Sequence, residues 1–201
     1  MIKKCPKCGS RHIAPILYGM PAFDEEMARQ IKNKELVLGG CCISRREPRY
    51  HCFGCGRDVG TPPIFVRNGR EEDYRDIVTG IVFSDGGYFG GYQEISIKKS
   101  KGKIMLEVIP AFSMPESFLQ REMTEKEWNR LLDRIYSKLY VHEWKKNFID
   151  PTIMDGEQWE LTLKLTGGRQ RRYSGSNAFP PYWRELKSTF RPFFKEAGIK
   201  L

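Results

Sequence analysis

Hydrophobic and polar residues alternate in three stretches of this chain, and each alternation predicts a β-strand with one buried face. Ile95 and Ile97 point one way while Glu94, Ser96 and Lys98 point the other. Ile104, Leu106 and Val108 repeat the pattern, as do Trp159, Leu161, Leu163 and Leu165 against Glu160, Thr162 and Lys164. Ser100-Lys101-Gly102 and Thr166-Gly167-Gly168 supply the glycine that a tight reversal needs after two of them. Two other stretches carry the helical period. From Glu125 to about Leu139, Trp128, Leu131, Leu132, Ile135, Tyr136 and Leu139 fall on one stripe. Thr124 and Glu127 form a capping box before it, with Met123 placed to staple onto Trp128. A second helix is expected from near Pro181, burying Trp183, Leu186 and Phe190, with Pro192 stopping or bending it.

From about Ile77 onward the order reads strand, strand, strand, helix, strand, strand, helix. It contains an echo. Gln93 to Ile97, a glycine turn, a return strand and a helix opening near Trp128 parallel Gln158 to Leu163, a glycine turn, a return strand and a helix opening near Trp183. Two such ββα-like units side by side predict an α+β fold: a two-layer antiparallel sheet with its helices on one face. The return strand after Gly168 breaks the pattern. Gln170, Arg172 and Ser174 lie on one face and Arg169, Arg171 and Tyr173 on the other, which marks an exposed edge or a working surface.

All six cysteines lie in the first 60 residues. Cys5-Pro-Lys-Cys8-Gly9 and Cys52-Phe-Gly-Cys55-Gly56 each place two sulfurs on one tight turn, followed by a glycine that lets backbone amides face sulfur. Two such knuckles predict a closed tetrahedral shell for one structural Zn²⁺, with Cys5, Cys8, Cys52 and Cys55 as ligands. A thioredoxin-like redox pair would need one motif in a βαβ setting and leaves the second motif unexplained. The intervening stretch, Gly9 through His51, is longer than the roughly 15 to 20 residues of simple ribbons. It reads as ordered: a short helix from Asp24 to Lys34, then a strand over Val37–Ile43 entered through a glycine turn. Cys41 and Cys42 are small buried hydrophobes, the start of a second metal set with His12 or His51, or a source of one substitute for a knuckle cysteine. The chain thus divides into a ribbon over 1–60, a linker over 61–76 that includes Thr61-Pro62-Pro63, and an α+β domain over 77–201.

Cys5-Pro-Lys-Cys8-Gly9, Tyr18-Gly19-Met20-Pro21, Leu38-Gly39-Gly40-Cys41 and Tyr50-His51-Cys52-x-x-Cys55-Gly56 together resemble the zinc-ribbon modules of uncharacterised bacterial proteins. The knuckles also resemble those of transcription-factor ribbons. Asp155-Gly156-x-x-Trp159 with Ser174-Gly175-Ser176-Asn177-Ala178-Phe179-Pro180-Pro181-x-Trp183 is similar to a segment of bacterial proteins with no assigned activity. The resemblance implies a bacterial source and a ribbon fold, and it carries no catalytic residues over.

Charge sharpens the functional reading. The formal net charge is +9, and four thiolates around a Zn²⁺ would remove two of those charges. The surplus favours nucleic acid or an acidic protein as partner. Two clusters concentrate it: Lys98, Lys99, Lys101 and Lys103 at the first hairpin tip, and Arg169, Arg171 and Arg172 after the second. If the two tips meet they form one cationic edge, with Tyr88, Phe89, Tyr92 and Tyr173 as stacking faces. Solvated hairpin tips are the plainer alternative. His142, Glu143 and Asp155 could be assembled into an acid–base or metal set, but no His-x-x-x-His or paired-carboxylate spacing supports one. No apolar run approaches the roughly 20 residues of a bilayer span. The N-terminus lacks the apolar segment of a signal peptide, so a cytoplasmic, non-catalytic nucleic-acid-binding or adaptor protein is expected. A regulatory protein-interaction module and an enzyme of unrecognised type are its rivals.

Overall fold

The computed structural model describes residues 2–87, 89–112, 118–153 and 155–199. The first 60 residues hold β1 (Ile13–Leu17), α1 (Glu25–Lys32), β2 (Val37–Leu38), β3 (Tyr50–Cys52) and β4 (Arg57–Val59). They form a four-stranded sheet in the order β2-β1-β3-β4, with β1 and β2 parallel. The short helix begins where expected, because the Asp24 carboxylate accepts the Met27 N–H at 2.8 Å and caps α1. None of its residues is buried. The strand expected over Val37–Ile43 ends at Leu38. Gly39 and Gly40 turn there, with Gly39 N–H donating to Leu17 O and Gly19 N–H to Gly40 O. A Cβ on Gly39 would fall 2.4 Å from the Tyr18 ring, so only glycine fits under that ring.

Residues 61–76 hold a hairpin, β5 (Ile64–Arg67) and β6 (Arg70–Asp73), and the start of α2 (Tyr74–Ile77). No alternation signals β6, because Arg70-Glu71-Glu72-Asp73 is charged throughout. Tertiary packing holds the hairpin instead: Phe65 meets Tyr136 edge-on at 5.7 Å.

The second sheet has seven strands: β7 (Val78–Gly87), β8 (Gly91–Ser100), β9 (Lys103–Ile109), β10 (Leu119–Glu122), β11 (Asn147–Ile149), β12 (Glu157–Leu165) and β13 (Gln170–Ser176). Their order is β10-β9-β8-β7-β12-β13-β11, antiparallel except for the β11–β13 pair. The two ββα units are present but not adjacent, since β7 lies between β8 and β12 and pairs with both. β10 and β11 are short edge strands outside the expected pattern.

The expected alternation decides which face is buried. Ile81, Phe83, Ile95, Ile97, Leu106, Val108, Leu161 and Leu163 are all sealed on one side. α3 (Glu125–Asp133) and α4 (Trp183–Glu196) cover that side: Phe83 stacks on Phe190 at 4.5 Å, and Trp128, Leu132 and Phe194 complete the layer. The capping box at Thr124 and Glu127 forms in full. Beyond Asp133 the helix widens into a π-turn over Arg134–Lys138, closed by Leu139 N–H donating to Arg134 O. Pro192 does not stop α4. The ring lies on the exposed side of the helix, as does Ser188, whose carbonyl loses its usual donor, so solvent can take that place.

Candidate metal centre and the cationic residues

The two knuckles meet. Cys5 and Cys8 stand before β1, Cys52 closes β3 and Cys55 lies in the β3–β4 turn. All four Sγ atoms lie within 4.8 Å of one another. Cys5 to Cys55 is 3.9 Å and Cys8 to Cys52 is 3.6 Å. A tetrahedron with metal–sulfur bonds of about 2.3 Å has sulfur–sulfur edges of about 3.8 Å, so the set fits one ion of zinc's size with no position left open. Gly9 and Gly56 both adopt positive φ, 79° and 66°, as the knuckle turns require. The four cysteines are therefore placed for binding a metal ion, in a ribbon-like module.

The electrostatics of the thiols follow from their burial. Cys5 is pushed up to about 12 by burial, against the amides of Cys8 and Lys7. Burial also raises Cys52, but the amides of Cys55 and Gly54 and the neighbouring thiols outweigh it and hold the group at about 7. A coordinated divalent cation removes the protons from all four. Cys41 and Cys42 are both exposed and belong to no metal set among the described residues, so neither is a buried hydrophobe. His51 does not join the cluster of four cysteines; its Nδ1 lies 2.7 Å from the Asp58 carboxylate.

The ribbon is fastened to the rest of the chain. Tyr182 Oη donates to Lys4 O at 2.7 Å, and Lys4 pairs with Glu185 at 2.9 Å. His142 and Glu143 hold the Thr61 peptide from both sides. Nε2 of His142 donates to the Thr61 carbonyl at 2.9 Å, and Glu143 accepts the Thr61 N–H at 2.6 Å. Asp155 stands exposed before the first residue of β12, at the far end of that strand, so the structure does not bring these three residues together as a reactive set.

The seven cationic residues singled out in the sequence fare unequally. β8 and β12 both run antiparallel to β7, so their outgoing turns lie at the same end of the sheet. Lys98 and Lys164 flank Gly80 in one row across the open face. Lys99 points to the helical side and pairs with Glu125 at 3.0 Å. Arg172 is bound by Glu160, and Arg169 donates to the Thr166 carbonyl. Arg171 lies on the covered side with its guanidinium 5.0 Å over the Phe65 ring. Lys98, Lys101 and Lys103 have no ion pair among the described residues. The stacking residues do not join them. Phe89 and Tyr92 are exposed at the opposite end, Tyr173 is buried, and Tyr88 lies outside the described residues.

The sequence reading missed Arg67 and Arg70, which sit at the β5–β6 turn. That turn comes up against the β12–β13 turn, where a Cβ on Gly167 would lie 3.8 Å from Arg67 Nη2. Only a correct placement of the 61–76 hairpin could have revealed this third tip. The centre of the open face is acidic, and burial together with Glu107 and Glu160 raises the Glu94 carboxyl. No helix among the described residues is long and apolar enough to cross a membrane. No family model matches the chain and no curated protein matches it, so the likeness to ribbon modules rests on the four-cysteine cluster alone.

Proposed function

We propose that this is a non-catalytic nucleic-acid-binding protein in which a structural zinc ion in the four-cysteine centre holds the ribbon, and the cationic end of the large sheet contacts phosphates. The observation that carries the reading is the gathering of three hairpin turns at one end. Lys98, Lys101 and Lys103 come from one, Arg169 from the second, and Arg67 and Arg70 from the third. Turn residues of this kind reach phosphate oxygens without reading bases, so affinity falls steeply with salt and depends little on sequence. The acidic centre of the open face confines the contact to that end.

The test is fluorescence anisotropy with a labelled single-stranded RNA of mixed sequence, from 50 to 200 mM salt. Replacing Lys98, Lys101 and Lys103 by serine removes three exposed charges and leaves the buried face untouched. The slope of log K against log salt should fall in magnitude by about 2. Absence of binding at 50 mM salt, or an unchanged slope in the triple variant, overturns the reading.

A further inference from the structure

β13 has an edge that its neighbour does not cover. β11 pairs only with Ser174–Ser176. Ser174 N–H donates to Lys146 O and Ser176 O accepts the Asp150 N–H, so the even-numbered residues of β13 turn their backbone groups toward β11. By the alternation of an antiparallel ladder, the odd-numbered residues bond to β12. Gln170 and Arg172 therefore point their N–H and C=O groups outward beyond the end of β11. No backbone partner meets them among the described residues.

The space they face is a real notch. Before Lys146 the chain makes no backbone hydrogen bond to β13 among the described residues; Trp144 is buried there instead, with its indole N–H bonded to Leu139 O and its ring edge-on to Tyr173 at 6.3 Å. A cavity of about 520–600 Å³ is left on each side of Arg171, and the larger one is bounded by His142, Trp144 and Lys146 across from residues 170–174. Its rim is cationic. Neither Arg171 nor Lys146 has a carboxylate partner among the described residues, and the nearby His142 ring is neutral at pH 7 because burial holds it at about 4.

We propose that this edge takes up a short acidic segment of a partner protein, in extended conformation, as an added strand along Gln170–Arg172 of β13, in the notch left where the chain before Lys146 no longer pairs with it. Four main-chain groups, the N–H and C=O of Gln170 and Arg172, are positioned to pair with it. Alternate acidic side chains would meet Arg171 on the covered side or Lys146 at the mouth. A purely electrostatic patch needs no unpaired backbone ladder. A nucleic acid backbone offers acceptors but no alternating donors to match one, and this favours a peptide over a polynucleotide.

The probe is a terminally blocked hexapeptide alternating valine and glutamate, added to the full zinc-loaded chain. Amide chemical shifts and hydrogen exchange are read at Gln170 and Arg172. Both amides should shift and exchange at least tenfold more slowly at saturation. The alternating valine–lysine peptide, and a version N-methylated at every second residue, should bind at least tenfold more weakly. Gln170→Pro removes one outward N–H without touching the β12 ladder, and Lys146→Glu reverses one exposed charge. Each should weaken binding tenfold or more. The variant lacking Lys98, Lys101 and Lys103 should bind the peptide unchanged, which keeps this site distinct from the phosphate-binding end. Silence at both amides, equal binding of the lysine peptide, or protection of the same amides by RNA but not by peptide overturns the proposal.

Discussion

The two parts of this chain are held together by different means. Of the buried hydrophobic residues among those described, only Ile2, Cys5, Ala14, Cys52 and Val59 belong to the first 60, and two of those five are thiols. Strands there run from two to five residues, and the one helix buries nothing. The large sheet has strands of up to ten residues and a continuous apolar face under two helices. A small unit with so little apolar burial is expected to need a cross-link, and a metal ion at the four cysteines would supply one. The larger unit has apolar burial enough without one. The ribbon's fold is therefore predicted to depend on the metal and the sheet's not.

Metal removal is the hardest blow to that contrast. Structural zinc in small sites is worth on the order of 10 kcal/mol at neutral pH. Elemental analysis should give one zinc per chain. Chelation, or Cys52→Ser, should abolish hydrogen-exchange protection in β1, β3 and β4 while β7, β8 and β12 keep theirs. If the whole chain loses protection together, the two parts are a single cooperative unit. If the ribbon stays protected, its apolar contacts suffice without metal.

The contrast also separates what the sequence made legible. The strands β8, β9 and β12 were readable because one face is apolar and the other wet, so the period of two survives in the residues. The knuckles were readable because metal geometry dictates spacing. The β5–β6 hairpin was not, since its residues are fixed by Phe65 docking on Tyr136 and not by any local pattern. β10 and β11 are edge strands of four and three residues, too short to show a period. Arg171 was legible in part. An arginine on a would-be core face predicted an exposed edge or a working surface; β11 leaves Gln170 and Arg172 uncovered, and the ring of Phe65 lying under the Arg171 guanidinium explains how that charge is accommodated. Phe89 and Tyr92, beside the glycine-rich turn, lie at the other end of the sheet from the lysine-rich turn, which only strand direction could decide.

The junction between the two parts should carry its own pH signature. His142 binds a proton near pH 6.5 in an unfolded chain, but burial against Tyr136 and Tyr140 holds it at about 4 when folded. The unfolded state therefore protonates first on acidification. Its contribution is intact above about pH 6.5 and is lost progressively as pH falls toward 4, roughly 3 kcal/mol over the full window. Glu143 works in the opposite sense, because burial raises its carboxyl and protonation then favours the folded state. His142→Gln keeps a donor for the Thr61 carbonyl and removes the titration. Urea unfolding at pH 7 and pH 4.5 should show the natural chain losing more stability than the variant. Equal losses would mean that burial does not hold the His142 imidazole below its ordinary value.

The smallest effect discriminates most finely, because the same chemistry occurs in both parts. Asp24 caps α1 and Thr124 caps α3, and each accepts a backbone N–H, at 2.8 and 3.2 Å. Replacing either by alanine removes a cap worth about 1 kcal/mol in a helix. α3 buries Trp128, Leu131 and Leu132, so its fraying exposes core and the loss is felt globally. α1 buries nothing, so its fraying costs the rest of the molecule nothing. Thr124→Ala should lower global unfolding stability by about 1 kcal/mol. Asp24→Ala should leave it unchanged while amides 28–32 exchange faster. A global loss on Asp24→Ala would show that α1 supports the ribbon after all, through a cooperativity that its burial does not reveal.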